Sequence, residues 1–151
     1  EMVQAINARN IPITFDPATV GGMKDVPVTE ILSWCALMDT LIMNEEEAIY
    51  LSGSSDIESA LEFFLDFAPR AIIKRGSQGA IGRQRGSEVI SGAATATQVI
   101  DTTGAGDSFA AGFIDSFTKN NDFANALQRA SDVAARCVAI VGARGRVGTQ
   151  I

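Results

Sequence analysis

The apolar residues of the chain follow two spacings, and each spacing predicts a different kind of element. Three short runs are almost continuously apolar, as in strands buried on both faces, and they cover residues 11–15, 40–43 and 70–74. Other segments place apolar residues every three or four positions, which is the spacing of amphipathic helices. These predicted helices cover residues 1–10, 28–38, 45–53, 56–68, 106–118 and 123–141.

Glycines and polar clusters predict how these elements are connected. A glycine-rich loop precedes residue 28, and the glycines of residues 75–86 favour a hairpin over a crossover. Residues 87–92 and 96–100 are interpreted as further short strands, and the tail from 142 as a loop. The alternation of strands and helices predicts a three-layer α/β/α domain with a mostly parallel sheet, spanning residues 1–151. Because the chain opens inside a helix–strand unit, we expect it to be cut from a longer protein.

Composition and charge narrow the functional classes. The 151 residues carry 12 basic and 18 acidic side chains, so neither a nucleic acid nor an anionic membrane is an expected partner. The absence of histidine from the sequence excludes Ser-His-Asp and Cys-His mechanisms. Cys35 and Cys137 lack CxxC spacing and are predicted to be buried free thiols. A reducing compartment, no recognisable signal peptide and no membrane-length apolar run together predict a cytoplasmic protein.

Polar or flexible residues end each of the three predicted strands. Asp16 follows the first strand, Asn44 follows the second, and Arg75 and Gly76 follow the third. In open parallel sheets, ligands bind beyond the carboxyl ends of the strands, so these residues could converge on one crevice. Asn and Gly are also ordinary turn residues at such places.

The stretch DTTGAGD, residues 101–107, lies immediately before a predicted helix and has two interpretations. In the first, Thr102 or Thr103 caps the helix and the glycines form a tight turn. In the second, small residues at 104–106 let an anion approach unpaired helix amides, and Asp107 at the rim accepts a proton from an attacking hydroxyl. The spacing alone does not choose between them.

Two weaker stretches also leave alternatives open. Asn44 and Glu47 are three residues apart at a helix start, where they could serve magnesium or form a capping box. Residues 74–82 could contact a nucleotide or simply form a hairpin turn. Neither a P-loop sequence nor a GxGxxG fingerprint is present, so any phosphate site must take another form and a dinucleotide oxidoreductase is disfavoured.

Taken together and in order, three stretches resemble the C-terminal half of the ribokinase-like (PfkB-type) carbohydrate kinases. They are LIMNEEEAIYLSG, AIIKRGSQGAIG and VIDTTGAGDSFAAGFI. DTTGAGD matches the C-terminal signature of that family at every position, and the resemblance runs from about residue 11 to residue 145. It implies a ribokinase-like fold, of which this chain would be the C-terminal, nucleotide-binding portion without the lid.

The resemblance implies a catalytic role for the DTTGAGD stretch. Asp107 would be the general base that activates the sugar hydroxyl. The amides of Gly104, Ala105 and Gly106 would form the anion hole for the transferred phosphoryl group. Phosphoryl transfer by positioning and charge stabilisation needs no histidine.

The resemblance also implies ligands for the nucleotide and for ions. Asn44 would serve the phosphates of ATP, and Glu47 would hold Mg²⁺ through water. Asp101 and Thr103, with carbonyls near 142–145, would correspond to a monovalent-cation site of the K⁺ type. The remaining implied nucleotide contacts are Lys74, Arg75, Gly76, Ser77 and Gly79.

Departures from the family pattern keep a second function open. The sugar-binding half and lid of the family have no counterpart here, and Ala18 and Thr19 stand where several members carry Asn and Arg. The leading hypothesis is an ATP-dependent kinase of a small sugar or related alcohol. The alternative is a nucleotide-binding fragment that is inactive without the other half. An exposed apolar edge of the half-sheet would favour homo-oligomers.

Overall fold

The computed structural model of the chain describes residues 2–142 and places seven helices and five strands there. The helices are α1 (Met2–Asn7), α2 (Val20–Met23), α3 (Val28–Cys35), α4 (Glu45–Ser52), α5 (Ile57–Phe64), α6 (Ala105–Asn120) and α7 (Phe123–Val138). The strands are β1 (Thr14–Phe15), β2 (Thr40–Asn44), β3 (Arg70–Lys74), β4 (Ala80–Gln84) and β5 (Ile90–Gly92). Two compact units result. Among the described residues, one comprises 2–76 together with 80–91, and the other comprises 77–79 together with 92–142.

The five strands form one sheet in the order β1-β2-β3-β4-β5. β1, β2 and β3 run parallel, with Thr14 opposite Thr40 and Thr40 opposite Arg70. β4 runs antiparallel to β3, with Ile73 opposite Ile81, so the predicted hairpin is confirmed. A mostly parallel arrangement therefore positions the ends of three consecutive strands at one edge.

The core of the first unit packs on one face of the sheet. Side chains alternate along a strand, so Leu41 and Met43 of β2 face the same side as Ala71 and Ile73 of β3. Helices α3, α4 and α5 cover that side. The stripe predicted for α5 is fully buried there and consists of Leu61, Phe64, Leu65 and Ala68. Burial of these apolar surfaces is the main stabilising contribution in this unit.

In the second unit, helices α6 and α7 pack closely against each other. Gly112 of α6 makes this possible, because a Cβ atom there would lie 2.9 Å from Val133 and 3.1 Å from Ala130. Phe113 and Phe123 add an edge-to-face ring contact with centroids 5.6 Å apart. The helices are joined by a short turn in which the Asp122 side chain caps α7.

Both cysteines are buried and, within residues 2–142, neither forms a disulfide, as predicted. Cys35 lies in the core of the first unit, where burial raises the pKa of its thiol to about 11. Cys137 lies near the end of α7 in the second unit. Among residues 2–142, no helix has both the length and the apolar character needed to cross a bilayer.

Two sequence predictions about local structure are wrong. The glycine-rich loop contains one helical turn, α2, which the Thr19 hydroxyl caps by accepting from the Gly21 amide. Residues 96–100 do not form a strand, and Val99 and Ile100 are largely exposed. The segment before them is held instead by side chains of α7, since the Ala93 amide donates to Gln128 and the Thr95 hydroxyl donates to Asp132.

The boundaries of several predicted elements also differ, and three examples follow. The first strand is confined to Thr14–Phe15, and the strand at the end of the hairpin region is confined to Ile90–Gly92. The last helix ends at Val138 rather than at 141. The predicted loop beyond 142 lies outside the described residues.

Two glycines of the turn between β3 and β4 offer a matched test of the fold. Gly76 (φ 55°) and Gly79 (φ 84°) are both left-handed, but a Cβ at Gly76 would meet nothing within 4 Å. A Cβ at Gly79 would lie 2.1 Å from the Gly92 carbonyl oxygen. We expect Gly76→Ala to lower the free energy of unfolding by about 1–2 kcal/mol, the strain of a left-handed residue. Gly79→Ala adds an overpacking cost of about 1–3 kcal/mol to that strain. Chemical denaturation measures both losses, and equal losses would contradict the close approach.

Candidate active site

Three polar side chains end neighbouring strands of the first unit at the same edge of the sheet. Asp16 directly follows β1, Asn44 ends β2, and Lys74 ends β3. Asn44 and Lys74 are direct partners in the parallel register. The ends of the three strands, after which Asp16, Asn44 and Arg75 were expected to converge, thus lie at one edge of the sheet, and their use as one ligand crevice stays a prediction.

Asn44 and Glu47 form a complete capping box at the start of α4. The Asn44 Oδ1 atom accepts from the Glu47 amide at 2.8 Å, and Glu47 Oε2 accepts from the Asn44 amide at 2.8 Å. Of the two interpretations of this pair, the capping box is present. Its geometry still leaves Glu47 Oε1, which is buried and has no hydrogen-bond partner among the described residues. An unpartnered buried carboxylate oxygen is a place where a water or an ion is expected.

The environment of the Glu47 carboxyl is both buried and charged. Only 1% of the residue is exposed, and this burial raises the pKa of its carboxyl. The hydrogen bond from the Asn44 backbone and the positive charge of Lys74 lower that pKa, whereas the negative charge of Asp16 raises it. Asp16, Glu47 and Lys74 thus form one electrostatic group.

Two ion pairs hold the basic side chains at the end of β3. Lys74 Nζ lies 2.5 Å from Asp16 Oδ2, and their side chains are 16% and 24% exposed. Arg75 Nε donates to Glu45 Oε1 at 3.0 Å. Lys74 and Arg75, two of the residues predicted to contact a nucleotide, are therefore held in place by carboxylates. The Lys74–Asp16 pair was missed by sequence reasoning, although Asp16 was recognised as a strand-end residue.

The turn after β3 presents exposed backbone. Residues Gly76–Gln78 form one 3-10 turn, in which Gly76 and Ser77 are exposed. Gly79 is different, because it is buried against the backbone of Gly92 and Ala94. The hairpin interpretation of this stretch is confirmed, and the predicted nucleotide contacts of its residues stay a prediction.

Helix α6 of the second unit begins without a side-chain cap. Its N-cap is Gly104 at φ 78°, so capping by Thr102 or Thr103, the first interpretation of DTTGAGD, is wrong. The Ala105 amide donates to the Thr102 carbonyl at 3.2 Å. Within residues 2–142, the amides of Gly106 and Asp107 have no acceptor, as expected for an uncapped first turn.

Asp107 lies on this same first turn of α6, and its side chain is exposed. The positive end of the helix dipole and unpaired amides stand beside a solvent-accessible carboxylate. Chemically, such a turn can bind an anion at the amides and accept a proton at the carboxylate.

Asp101 ties the loop before α6 to the residues after α7. Its Oδ1 accepts from the Thr103 amide at 2.9 Å and its Oδ2 accepts from the Gly142 amide at 2.9 Å. These hydrogen bonds lower the pKa of the Asp101 carboxyl. The Cys137 thiol donates to the Thr103 carbonyl at 3.5 Å, a contact that sequence reasoning missed. Asp101 and Thr103 are thus neighbours, their use as a cation site stays a prediction, and positions 143–145 lie outside the described residues.

The lowered pKa of Asp101 predicts a specific pH dependence of stability. A carboxyl whose pKa is lower in the folded chain contributes stability above the unfolded-state pKa, and loses it as the pH falls through the folded-state pKa. We expect Asp101→Asn to be less stable than the unsubstituted chain at pH 7. The difference should shrink as the pH falls below about 4, because the folded chain loses this contribution when its Asp101 carboxyl becomes protonated.

Urea denaturation at several pH values measures this difference in the free energy of unfolding. Asp115→Asn is a matched control, because Asp115 forms only an exposed pair with Lys119 on α6. A difference for Asp101→Asn that is unchanged between pH 7 and pH 2 would contradict the electrostatic origin of this contribution.

Comparisons with known proteins identify relatives of the chain. The family model described as "pfkB family carbohydrate kinase" matches residues 2–148. The ribokinase of Haemophilus influenzae is 30% identical over 158 residues, covering 99% of this chain and 49% of the relative. An E. coli protein described as a ribokinase II was solved with ATP and Mg²⁺. It superposes with a TM-score of 0.84 at 30% identity, covering 93% of this chain and 46% of that one.

The chain also shares its fold with a solved protein of lower sequence identity. The adenosine kinase of Sinorhizobium meliloti, at 24% identity, superposes with a TM-score of 0.89 and covers 96% of this chain and 45% of its own. The chain spans less than half the length of each of these three proteins. The predicted ribokinase-like α/β/α fold class is thereby confirmed. Because the family model extends over nearly every residue, the chain belongs to the pfkB family of carbohydrate kinases.

Proposed function

We propose that this chain provides the nucleotide-binding and catalytic elements of an ATP-dependent kinase, which phosphorylates a hydroxyl group of a small sugar or related alcohol. The observation that carries the proposal is the first turn of α6. There, amides without acceptors among the described residues lie beside the exposed carboxylate of Asp107. Membership of the carbohydrate kinase family supports the substrate class.

The helix start supplies the anion hole. Gly104 adopts a left-handed conformation that is readily available to glycine, and no side chain occupies the position where an N-cap would bind the amides. The amides of Gly104, Ala105 and Gly106 were predicted for this role. The Ala105 amide already donates to Thr102, so the Gly106 amide and the neighbouring Asp107 amide are the better placed donors. Negative charge that develops on the transferred phosphoryl group is stabilised by these donors and by the helix dipole.

Asp107 acts as the general base. Its carboxylate takes the proton of the acceptor hydroxyl while the hydroxyl oxygen forms a bond to the γ-phosphorus of ATP. The bond from that phosphorus to the bridging oxygen breaks, and ADP leaves with the electron pair. The exposure of Asp107 keeps its carboxylate accessible to the hydroxyl of a bound sugar.

Glu47 is the proposed residue for Mg²⁺, held through water. Its buried Oε1 has no partner among the described residues, and oxygen ligands with retained waters suit this ion. When bound, the metal neutralises phosphate charge. Asn44, whose Oδ1 is used by the capping box, can donate from Nδ2 to a phosphate oxygen. The relative solved with ATP and Mg²⁺ supports both ligands.

The other predicted contacts are assigned by their exposure and charge. Lys74 and Arg75 supply positive charge for the phosphates, and the exposed turn at Gly76 and Ser77 lies along the nucleotide. Gly79 is required for the turn itself, because its close approach to Gly92 leaves no space for a side chain. Asp101 and the Thr103 carbonyl are oxygen ligands for a monovalent cation of the K⁺ type.

A second candidate function follows from the length of the chain. The chain spans less than half the length of the relatives reported above, and the second proposal is that it binds nucleotide without transferring phosphate by itself. The organisation of residues 1–151 as one domain stays a prediction.

Substitution of Asp107 separates the two functions. We expect Asp107→Asn to bind Mg-ATP within a few-fold of the unsubstituted chain. We also expect it to lose phosphoryl transfer to a panel of small sugars by about 10²- to 10⁴-fold, because the general base is removed. Calorimetric titration measures the binding, and radiolabelled phosphate transfer measures the reaction.

Asp115→Asn is the matched control, since it removes the same charge from the exposed side of the same helix. Equal transfer by the chain and by Asp107→Asn would contradict the assigned base. Binding without any transfer by the unsubstituted chain would favour the second function. A chain that binds no Mg-ATP would contradict both.

A further inference from the structure

The contact between Asp16 and Lys74 spans the strand that lies between them. β1 pairs with β2, and β2 pairs with β3, so β1 and β3 are separated by two strand spacings, or about 10 Å. Lys74 Nζ nevertheless reaches Asp16 Oδ2 at 2.5 Å. The two side chains must lean towards each other across the carboxyl end of β2, where Asn44 begins the capping box.

The register explains why the two side chains share a face of the sheet. Thr14 of β1 is level with Thr40 and, through it, with Arg70 of β3. Side chains alternate along a strand, so Asp16, two residues beyond Thr14, and Lys74, four residues beyond Arg70, lie on that same side. It is the side opposite Leu41 and Ile73, which face the apolar core of the first unit. The ion pair therefore lies outside that core, and its two side chains stay partly accessible to ligands.

Asp16 is a fixed anchor because both of its carboxylate oxygens are engaged. Its Oδ1 accepts from the Ala18 amide at 2.9 Å, while Oδ2 binds Lys74. Ala18 itself is left-handed at φ 67°, a strained conformation for a residue with a side chain. Strained turns of this kind occur preferentially at functional sites. Lys74, in contrast, has a flexible four-carbon stem, so its ammonium has a defined place only while Asp16 holds it.

The pair acts on the residue proposed to serve magnesium. The charges of both Asp16 and Lys74 influence the Glu47 carboxyl, in opposite directions. The ammonium, the buried carboxylate and the strand-end amide of Asn44 are thus neighbours at one edge of the sheet. A phosphate chain that approached Asn44 and Glu47 would meet the Lys74 ammonium at the same place.

We propose that Asp16 is a positioning residue for nucleotide binding, because it holds the Lys74 ammonium across the end of β2 where the phosphates are received. This inference rests on the proposed function. Asp16 touches neither nucleotide nor sugar, and it acts through Lys74. On charge alone, Asp16 would instead weaken nucleotide binding, because its carboxylate repels phosphates and neutralises the charge of Lys74. The sign of the change on removing the carboxylate distinguishes positioning from neutralisation.

The test is a double-mutant cycle on the chain, with calorimetric titration of Mg-ATP, Mg-ADP and adenosine. Asp16→Asn keeps an oxygen acceptor for the Ala18 amide but loses the charge that holds Lys74. We expect it to bind Mg-ATP and Mg-ADP about 3- to 10-fold more weakly, the cost of ordering one long side chain on binding. Adenosine, which lacks phosphates, should bind equally to both. In a Lys74→Met background, Asp16→Asn should have no further effect.

Asp39→Asn is the matched control. Asp39 lies just before β2, at the opposite end of the strand, and its Oδ2 accepts from the Ile13 amide at 2.8 Å. The substitution Asp39→Asn removes the same charge from the same unit, and we expect it to leave Mg-ATP binding unchanged. If thermal unfolding shows that Asp16→Asn does not fold, Asp16→Ser keeps a weaker acceptor for the Ala18 amide and takes its place in the cycle.

Each remaining outcome overturns the inference in a distinguishable way. Tighter or unchanged binding of Mg-ATP by Asp16→Asn rejects positioning but leaves the nucleotide site in place. A loss that persists in the Lys74→Met background shows that Asp16 acts without the lysine. A loss that extends to adenosine indicates a general disturbance of the unit. An unsubstituted chain that binds none of the three ligands contradicts the proposed function, and this inference with it.

Discussion

The candidate site of the first unit depends on the parallel pairing of β2 with β3. This register places Asn44 beside Lys74, and it brings both ends to the same edge as the end of β1. Shifting the register by one residue would move Lys74 to the side of the apolar core, away from Asp16. Burial of Leu41, Met43, Ala71 and Ile73 on that side holds the register in place. The polar edge is thus fixed by apolar residues that take no part in chemistry.

The two helix starts that carry candidate residues satisfy their first amides in opposite ways. At α4, the Asn44 side chain accepts a hydrogen bond from the Glu47 amide, and the Glu47 side chain accepts one from the Asn44 amide. Side chains of the helix start therefore satisfy these two backbone amides. At α6, glycine stands at the N-cap and no side chain binds the first amides. An N-cap side chain contributes about 1 kcal/mol to a helix, and α6 has none. Within one chain, this contrast distinguishes a helix start that serves the fold from one that is available to an anion.

Local patterns were predictable from the sequence, whereas contacts between distant residues were not. The capping box at Asn44 and the hairpin after Lys74 depend on residues within a few positions of each other, and both are present. Helix α2 has only four residues, too few to show a periodicity. Residues 96–100 have a strand-like composition, but the segment preceding them is bonded to α7 some 35 positions away. The pair of Asp16 and Lys74 spans 58 positions and exists only because of the strand order.

Three carboxylates of the chain lie in three different environments. Glu47 is buried, and burial raises the pKa of its carboxyl. Asp101 accepts two amide hydrogen bonds that lower the pKa of its carboxyl and commit it to holding the loop. Asp107 alone of the three is exposed, on a helix turn with unpaired amides. A proton acceptor has to be reachable by the group that it deprotonates. Accessibility, more than residue type, therefore supports the proposal that Asp107 is the base, whereas Glu47 is proposed to hold an ion and Asp101 holds the loop.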